Sequence, residues 1–249
     1  RERAGLDRAG LGSLTGYSPS TIASFEQGRR IPPPKFIDQV DEALDARGVL
    51  SVSKEAVARA QYPAFFQGAA KLEAEAVELH VYDTQLVNGL LQTEEYARSV
   101  FAMWQPPLDE VVIEQRVAAR LARQEIFTRR PASHLSFVIE EAVLLRTLGG
   151  EAIWRGQLEH LMLMAEKRNV VIQVMPLSRQ EHAGLAGPFT LMETKEGRRI
   201  AYTEVQSDSR VHTERSKVRE LERTYGTLRA QAQTPTESLA LIEKLLGER

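Results

Sequence analysis

The chain has 249 residues, of which 43% are hydrophobic and 27% charged, with a formal net charge of −2 and no cysteine. That length accommodates a small module joined to a larger domain, no apolar run approaches the roughly 18 residues that would span a bilayer, and nothing resembles a signal peptide. The absence of cysteine excludes disulfides, thiolate metal ligands and cysteine nucleophiles, and fits a reducing cytoplasm.

The chain opens on Arg1 rather than methionine, and Arg1 to Ala4 reads as the tail of a helix closed by Gly5, so preceding sequence and a truncated first helix are expected. Asp7 offers a cap to a helix from Arg8 to Thr15, with Leu11 and Leu14 on one face, and Gly16 ends it. Ser18 is a good N-cap and Pro19 suits the first helical position, so the next helix is predicted from Pro19 to about Gln27, closed by Gly28. Ile22 and Phe25 give it a buried stripe, while Ser20, Thr21, Ser24 and Gln27 fall largely on the other side. After Arg29 and Arg30 the prolines at 32, 33 and 34 form a rigid connector. A further helix is predicted from about Lys35 to Ala46, with Phe36, Val40 and Leu44 inward.

Two short helices about a glycine turn, the second presenting small hydrogen-bonding side chains, have the dimensions of a major-groove reader. Charge placement is compatible with this. Between Arg1 and Phe36, Arg1, Arg3, Arg8, Arg29, Arg30 and Lys35 outnumber Glu2, Asp7 and Glu26. Between Ile37 and His80, Asp38, Asp41, Glu42, Asp45, Glu55, Glu73, Glu75 and Glu78 outnumber Arg47, Lys54, Arg59 and Lys71. A basic tip on an acidic body suits a polyanion, although chance scatter of solvated charges explains so small an asymmetry about equally well.

The segment LTGYSPSTIASFEQGRRIPPP, Leu14 to Pro34, resembles the helix-turn-helix of the Cro and phage-repressor-like, xenobiotic-response-element class of bacterial regulators. Gly16 matches at the turn, Ser18 at the cap, Ser20, Thr21 and Ile22 in the reader, and Glu26, Gly28 and Arg29 at its end. Two positions depart. Where the class commonly has glutamine at the start of the second helix and glutamine or arginine at the first position of the reader, this chain has Arg8 and Pro19. Arg8 can still meet a phosphate, whereas Pro19 offers no hydrogen bond to a base. The expected DNA-contacting residues are therefore Arg8, Ser18, Ser20, Thr21, Ser24, Gln27, Arg29 and Arg30, with Ser18 a cap first and a phosphate contact second.

Residues 1–50 are thus expected to form an all-α helix-turn-helix domain, 51–72 a linker containing a helix interrupted at Pro63, and 73–249 a regulatory α+β domain with a mixed sheet of about five strands. The predicted strands are Val77 to Tyr82, His134 to Ile139, Asn169 to Met175, Pro188 to Met192 and Arg199 to Val205. Helices are predicted at Gln92 to Met103, Leu108 to Arg129, Gly150 to Lys167, His212 to Gln231, and a last one capped by Thr234 with Pro235 at its first position.

The histidines at 80, 134, 160, 182 and 212 show no zinc-enzyme spacing, and Walker A and GxSxG motifs are missing, so no metal, cofactor or catalytic constellation is expected. Arg116, Arg120 and Arg123 recur at helical spacing. They form either an anion site or, more simply, ion pairs with Glu110, Glu114 or Glu141 on a solvated face.

The segments EAEAVELHVYDTQLVNGLLQTEEYARSV, RVAARLARQEIFTR, FVIEEAVLLRTLGG, VIQVMPLSRQEHAGLAGPFTLME and IAYTEVQ resemble the C-terminal domain of an actinobacterial regulator family, some members of which are called antitoxin-like. Gly89 to Thr93, Tyr96, Arg116, Arg120, Arg123, Gln124, Glu141, Leu144, His182, Gly184, Gly187 to Phe189, Tyr202 and Glu204 carry it. Asn88 departs from the family's usual proline, and an Asn-Gly turn serves the same bend. The resemblance implies a domain that binds a ligand or a small basic companion protein, with Arg116, Arg120, Gln124, His182, Tyr202 and Glu204 as candidate contacts and His182 in a flexible glycine-rich loop. The expected function is a cytoplasmic transcriptional regulator binding double-stranded DNA as a homodimer. The alternative is an antitoxin-like interaction module whose DNA binding is secondary.

Overall fold

A computed structural model describes residues 1–28, 30–59, 66–206 and 208–247. They form two compact units, Arg1–Gln67 with Trp104–Ala119, and Gly68–Met103 with Arg120–Arg249. The first thus includes a stretch distant in sequence from the contiguous 1–50 region.

In the first unit a 3-10 turn at Glu2–Ala4 ends on left-handed Gly5, as the sequence indicates. Helix α1, Arg8–Thr15, is capped by Asp7, whose Oδ1 accepts from the Gly10 N–H at 2.6 Å. Gly16, at φ 76°, closes it. Ser18 caps α2, Pro19–Glu26, by accepting from the Thr21 N–H at 3.1 Å. Leu11, Ile22, Phe36 and Val40 make the core, joined by Tyr17, Phe25 and Leu44. The rings of Tyr17 and Phe25 lie 4.9 and 4.7 Å from Phe36.

The expectation that Leu14 shares the buried face of Leu11 is corrected: Leu14 is 59% exposed, and Thr15, four residues after Leu11, is buried instead. Gly12 accounts for the rotation. A Cβ there would stand 2.5 Å from the Tyr17 carbonyl oxygen, so the chain after the turn lies directly against this side of α1.

Helix α3, Pro34–Ala43, stops short of the predicted Ala46. Asp41 turns the chain: its carboxylate accepts from the N–H groups of Gly48 at 2.6 Å, Leu50 at 2.7 Å and Ser51 at 3.2 Å. Asp45 and Arg47 take positive φ on the way. A 3-10 turn at Ser51–Ser53 leads into α4, Lys54–Arg59. The predicted interruption at Pro63 lies outside the described residues.

The second unit is built on six strands, one more than the sequence indicates. After α5, Gln67–Glu75, come β1, Ala76–Asp83; β2, His134–Glu140; β3, Val170–Met175; β4, Phe189–Thr194; β5, Arg199–Val205; and β6, Asp208–His212. Its helices are α6, Glu94–Ala102; α8, Glu141–Leu145; α9, Glu151–Ala165; α10, Arg215–Gln231; and α11, Pro235–Gly247; α7, Glu110–Arg123, belongs to the first unit as far as Ala119 and to the second from Arg120. His212 therefore ends a strand rather than opening a helix. The strand escapes the hydrophobic pattern because it is an exposed edge with Val211 as its one apolar residue.

The sheet order is β3-β2-β1-β4-β5-β6. Strands β1 to β3 run parallel, and β1, β4, β5 and β6 pair antiparallel. Alternation along the strands gives two apolar faces. Tyr82, Val138, Met175, Phe189 and Ala201 pack with Val218, Tyr225 and Leu228 of α10. Leu79, Val81, Phe137 and Ile139 are buried on the opposite face. Helix α11 packs along edge strand β3, where Ser238 Oγ accepts from the Val174 N–H at 2.9 Å.

Candidate nucleic-acid interface and regulatory site

Helix α2 presents Ser20 exposed, with Thr21 and Ser24 half-buried, and its C-cap Gln27 is exposed. The hydroxyls are already linked: Ser18 Oγ lies 2.9 Å from Ser20 Oγ and 2.8 Å from Thr21 Oγ1, and Ser24 Oγ donates to the Ser20 carbonyl at 3.0 Å. Each retains a lone pair that can accept from a base amino group, whereas a phosphate needs the hydroxyl proton, and that of Ser24 already goes to the Ser20 carbonyl. Arg30 is exposed, its backbone N–H bound to the Ser24 carbonyl at 3.1 Å. Arg29 lies outside the described residues.

Arg8 is held by Glu26 at 2.9 Å, and Arg1 reaches the same carboxylate at 2.5 Å. The hydrogen bond from Arg1 is the main reason that the Glu26 carboxyl sits below its usual range; burial opposes it and Arg8 adds to it. Two of the six cations counted on this tip are therefore already paired, and Glu26 at the end of α2 does the pairing.

The regulatory candidates separate into three groups. Arg120 and Gln124 meet at Gln92, which is 2% exposed. Arg120 Nη1 donates to Gln92 Oε1 at 2.5 Å, Gln124 Nε2 donates to the Gln92 carbonyl at 2.7 Å, and Gln92 Nε2 donates to the Val87 carbonyl at 2.7 Å. Gln157 joins the same knot, accepting from the Thr93 N–H at 2.9 Å and donating to the Leu91 carbonyl at 2.7 Å. Asn88 Oδ1 caps the 3-10 turn Gly89–Leu91 through the Leu90 N–H, the bend that the Asn-Gly pair was expected to make. The segment around Gln92 is thus a hydrogen-bonded latch. Arg123 closes its far side with a bidentate pair to Glu73, both bonds 2.7 Å. Arg116 stacks over the Trp104 ring, 5.2 Å from its centroid.

Tyr202 and Glu204 form the second group, the phenol donating to Glu204 Oε2 at 2.5 Å. Burial and this carboxylate together raise the Tyr202 pKa well above the ordinary phenol range.

His182 belongs to the third group, at the C-terminal ends of the parallel strands. Its Nε2 lies 3.6 Å from Glu140 Oε1, and its side chain is 6% exposed. The Gly184 N–H donates to Nδ1 at 3.2 Å, so Nε2 carries the proton facing the carboxylate. Tyr82 donates to the same Glu140 oxygen at 2.5 Å. Gly184 lies on the Tyr82 ring so closely that a Cβ would stand 2.3 Å from it. The loop is further tied by the Ala183 N–H to Gln231 Oε1 at 3.0 Å and the Gly187 N–H to the Gly184 carbonyl at 3.0 Å. The loop expected to be flexible is, in this arrangement, folded onto the strand ends with His182 inside.

Next to Tyr82, Asp83 has a buried Oδ2 without a hydrogen-bond partner among the described residues. Burial pushes its carboxyl up to about 7, against a weak hydrogen bond from Asn88. Sequence reasoning missed Tyr82, Asp83 and Glu140. The available signal was a polar pair at the end of the first two strand runs, Tyr82-Asp83 and Glu140-Glu141, where ligand sites of parallel sheets gather. Among the described residues no group of three or more histidine, aspartate or glutamate side chains lies close enough to hold a metal ion, and no helix is long and apolar enough to cross a membrane.

Residues 1–53 match the model of a helix-turn-helix domain, which supports a DNA-binding regulator. No curated protein and no solved structure matches the chain. Residues 66–244 match the model of a domain of unknown function (DUF5753), and by that match over most of its length the chain belongs to the DUF5753 family.

Proposed function

We propose that the chain is a cytoplasmic, sequence-specific transcriptional regulator of the repressor-like class, resembling actinobacterial members. In this reading it binds a palindromic operator as a homodimer, and its non-catalytic C-terminal domain senses a ligand or a small companion protein. The observation that carries the reading is α2: a short helix set by the Gly16 turn and the Ser18 cap, with Ser20, Thr21, Ser24 and Gln27 on its outer side and Arg30 just beyond. Two such helices in a dimer address half-sites about one helical turn, roughly 34–36 Å, apart.

The C-terminal domain supports a receptor role through its layout. Tyr82, Glu140 and His182 gather under the β3–β4 loop at strand ends, where a folded loop exchanges its own contacts for those of a ligand or partner. The antitoxin-like alternative assigns the same surface to a protein partner as the main task.

Selection of binding sites from random duplex DNA by the full chain, followed by anisotropy titration, tests the proposal. A two-fold symmetric consensus bound far more tightly than random duplex is the expected result. Binding without base preference would refute it. Coupling requires in addition that a partner or ligand bind the DNA-free and operator-bound forms with different affinity, because linkage is reciprocal. Equal dissociation constants would leave the domain a tether.

A further inference from the structure

Two residues earlier along β1 than Tyr82, a groove of about 240 Å³ opens between α10 and the sheet. It is smaller than the roughly 300–1,000 Å³ pockets that enclose drug-sized ligands. His80, Leu191, Val218 and Tyr225 supply its apolar and aromatic lining, and Gly226 lies at its edge on α10. The His80 ring stacks on Tyr225 with centroids 5.3 Å apart and planes inclined by 30°.

Gly226 is in the interior of a 17-residue helix, where glycine is the least favourable choice after proline. Packing does not require it, because a Cβ there would meet no atom within 4 Å. Gly226 is exposed in the groove's lining, and the space where its Cβ would stand is open.

The rim carries Glu78, Glu193 and Glu222 against Arg199 and Arg229. Arg199 bonds Glu193 at 3.0 Å and Glu222 at 3.3 Å, spanning sheet and helix, and Arg229 donates to Gln173 at 3.2 Å. Glu78 faces His80, with Nε2 at 3.4 Å, and burial lowers the His80 pKa so that the imidazole brings no compensating charge near neutral pH. The rim is left with a carboxylate in excess over an aromatic floor, a combination that attracts cations by charge and by the ring quadrupole.

We propose that this groove binds a small organic cation, a primary ammonium group on a flat apolar body, with the ammonium among the rim carboxylates and the body against His80, Leu191 and Val218. It names a ligand class for the sensing role proposed above, on which only its regulatory consequence rests. Binding measured without DNA stands apart from that role.

Calorimetry of the full chain with phenethylammonium, phenethyl alcohol and 3-phenylpropanoate tests it. Phenethylammonium is expected to bind saturably at one site, the alcohol about tenfold more weakly, and the carboxylate not at all. Glu78→Gln and Glu222→Gln weaken the cation several-fold. Gly226→Leu removes binding by filling the groove, while Gly226→Ala retains it and serves as the folding control. The two glutamine variants carry the test if the leucine variant does not fold. Equal heats for cation and anion, no saturable heat for any probe, or unchanged affinity in a folded Gly226→Leu protein or in both glutamine variants would overturn the proposal.

Discussion

The Gln92 latch offers the most direct way to separate a binding role for Arg120 and Gln124 from a structural one. Gln92→Met preserves length and approximate volume, so little cavity is created. It removes the acceptor for Arg120 and the donor for the Val87 carbonyl. An unsatisfied buried carbonyl costs about 1–3 kcal/mol and a lost hydrogen bond to a charged group about 1.5–3 kcal/mol. Arg120 can recover part of its share by relaxing onto its other neighbours, so a net loss of about 3 kcal/mol is expected. In a domain of this size that corresponds to a drop in Tm of about 6–12 °C.

Urea unfolding followed by Trp154 fluorescence, in a Trp104→Phe background, reports on this domain, since Trp154 is buried and its indole N–H is bound to the Leu144 carbonyl. The midpoint should fall at constant m. Arg120→Met and the double variant complete a cycle whose coupling should exceed about 1 kcal/mol. A loss below about 0.5 kcal/mol, the usual range for inert substitutions, would refute the latch and release Arg120 for a ligand.

On the DNA side, Thr21→Ala should relax preference at one operator position by about 1 kcal/mol, the lower end of base-contact values, and Ser24→Ala by less, because the Ser24 hydroxyl is bound to Ser20. Uniform weakening across a panel of operator variants would assign both residues to folding or phosphate contact. Arg30→Ala should flatten the plot of log K against log salt by about 0.9. Arg8→Ala should flatten it less, since Glu26 already neutralises that guanidinium, and equal slopes for the two variants would place the phosphate face wrongly. Because burial raises the Asp83 carboxyl to about 7, the folded chain holds a proton between about pH 4 and 7 that the unfolded chain releases. Its contribution to stability is full below about pH 4, declines as pH rises, and is lost above its folded value of about 7. Asp83→Asn should flatten this part of the stability profile, and an unaltered profile would show that the carboxyl ionises normally.

Local punctuation made most of the fold legible. Ser18-Pro19 and Thr234-Pro235 place the starts of α2 and α11, and the latter is a reciprocal capping box, Thr234 N–H to Glu237 at 2.8 Å and Glu237 N–H back to Thr234 at 3.3 Å. The β-branched runs locate β1 to β5. What escaped was set by contacts between residues far apart in sequence. Arg8 and Glu26 both look available until the fold pairs them, and Gln92 looks like one polar residue among several until Val87, Arg120 and Gln124 converge on it. Leu14 and Thr15 occupy adjacent helical positions, and only the close approach of Tyr17 to Gly12 decides which of them faces inward. His182 reads as a loop residue because nothing nearby in sequence announces that the β3–β4 connection crosses the ends of β1 and β2.

The sheet order also sets a timetable for synthesis. Strand β1 is complete at Asp83, yet its antiparallel neighbour begins only at Phe189. At about 5–20 residues per second the intervening chain takes on the order of ten seconds to emerge from a ribosome. Throughout that interval β1, though central in the finished sheet, has at least one bare edge, and two until β2 follows at His134. The helices of the first fifty residues need nothing from that late segment for their own aromatic core. The helix-turn-helix can therefore fold while the C-terminal domain is still waiting for the strand that closes its sheet. A nascent chain stalled before β4 would carry a formed helix-turn-helix and, separately, a sheet edge open to a chaperone or to another chain.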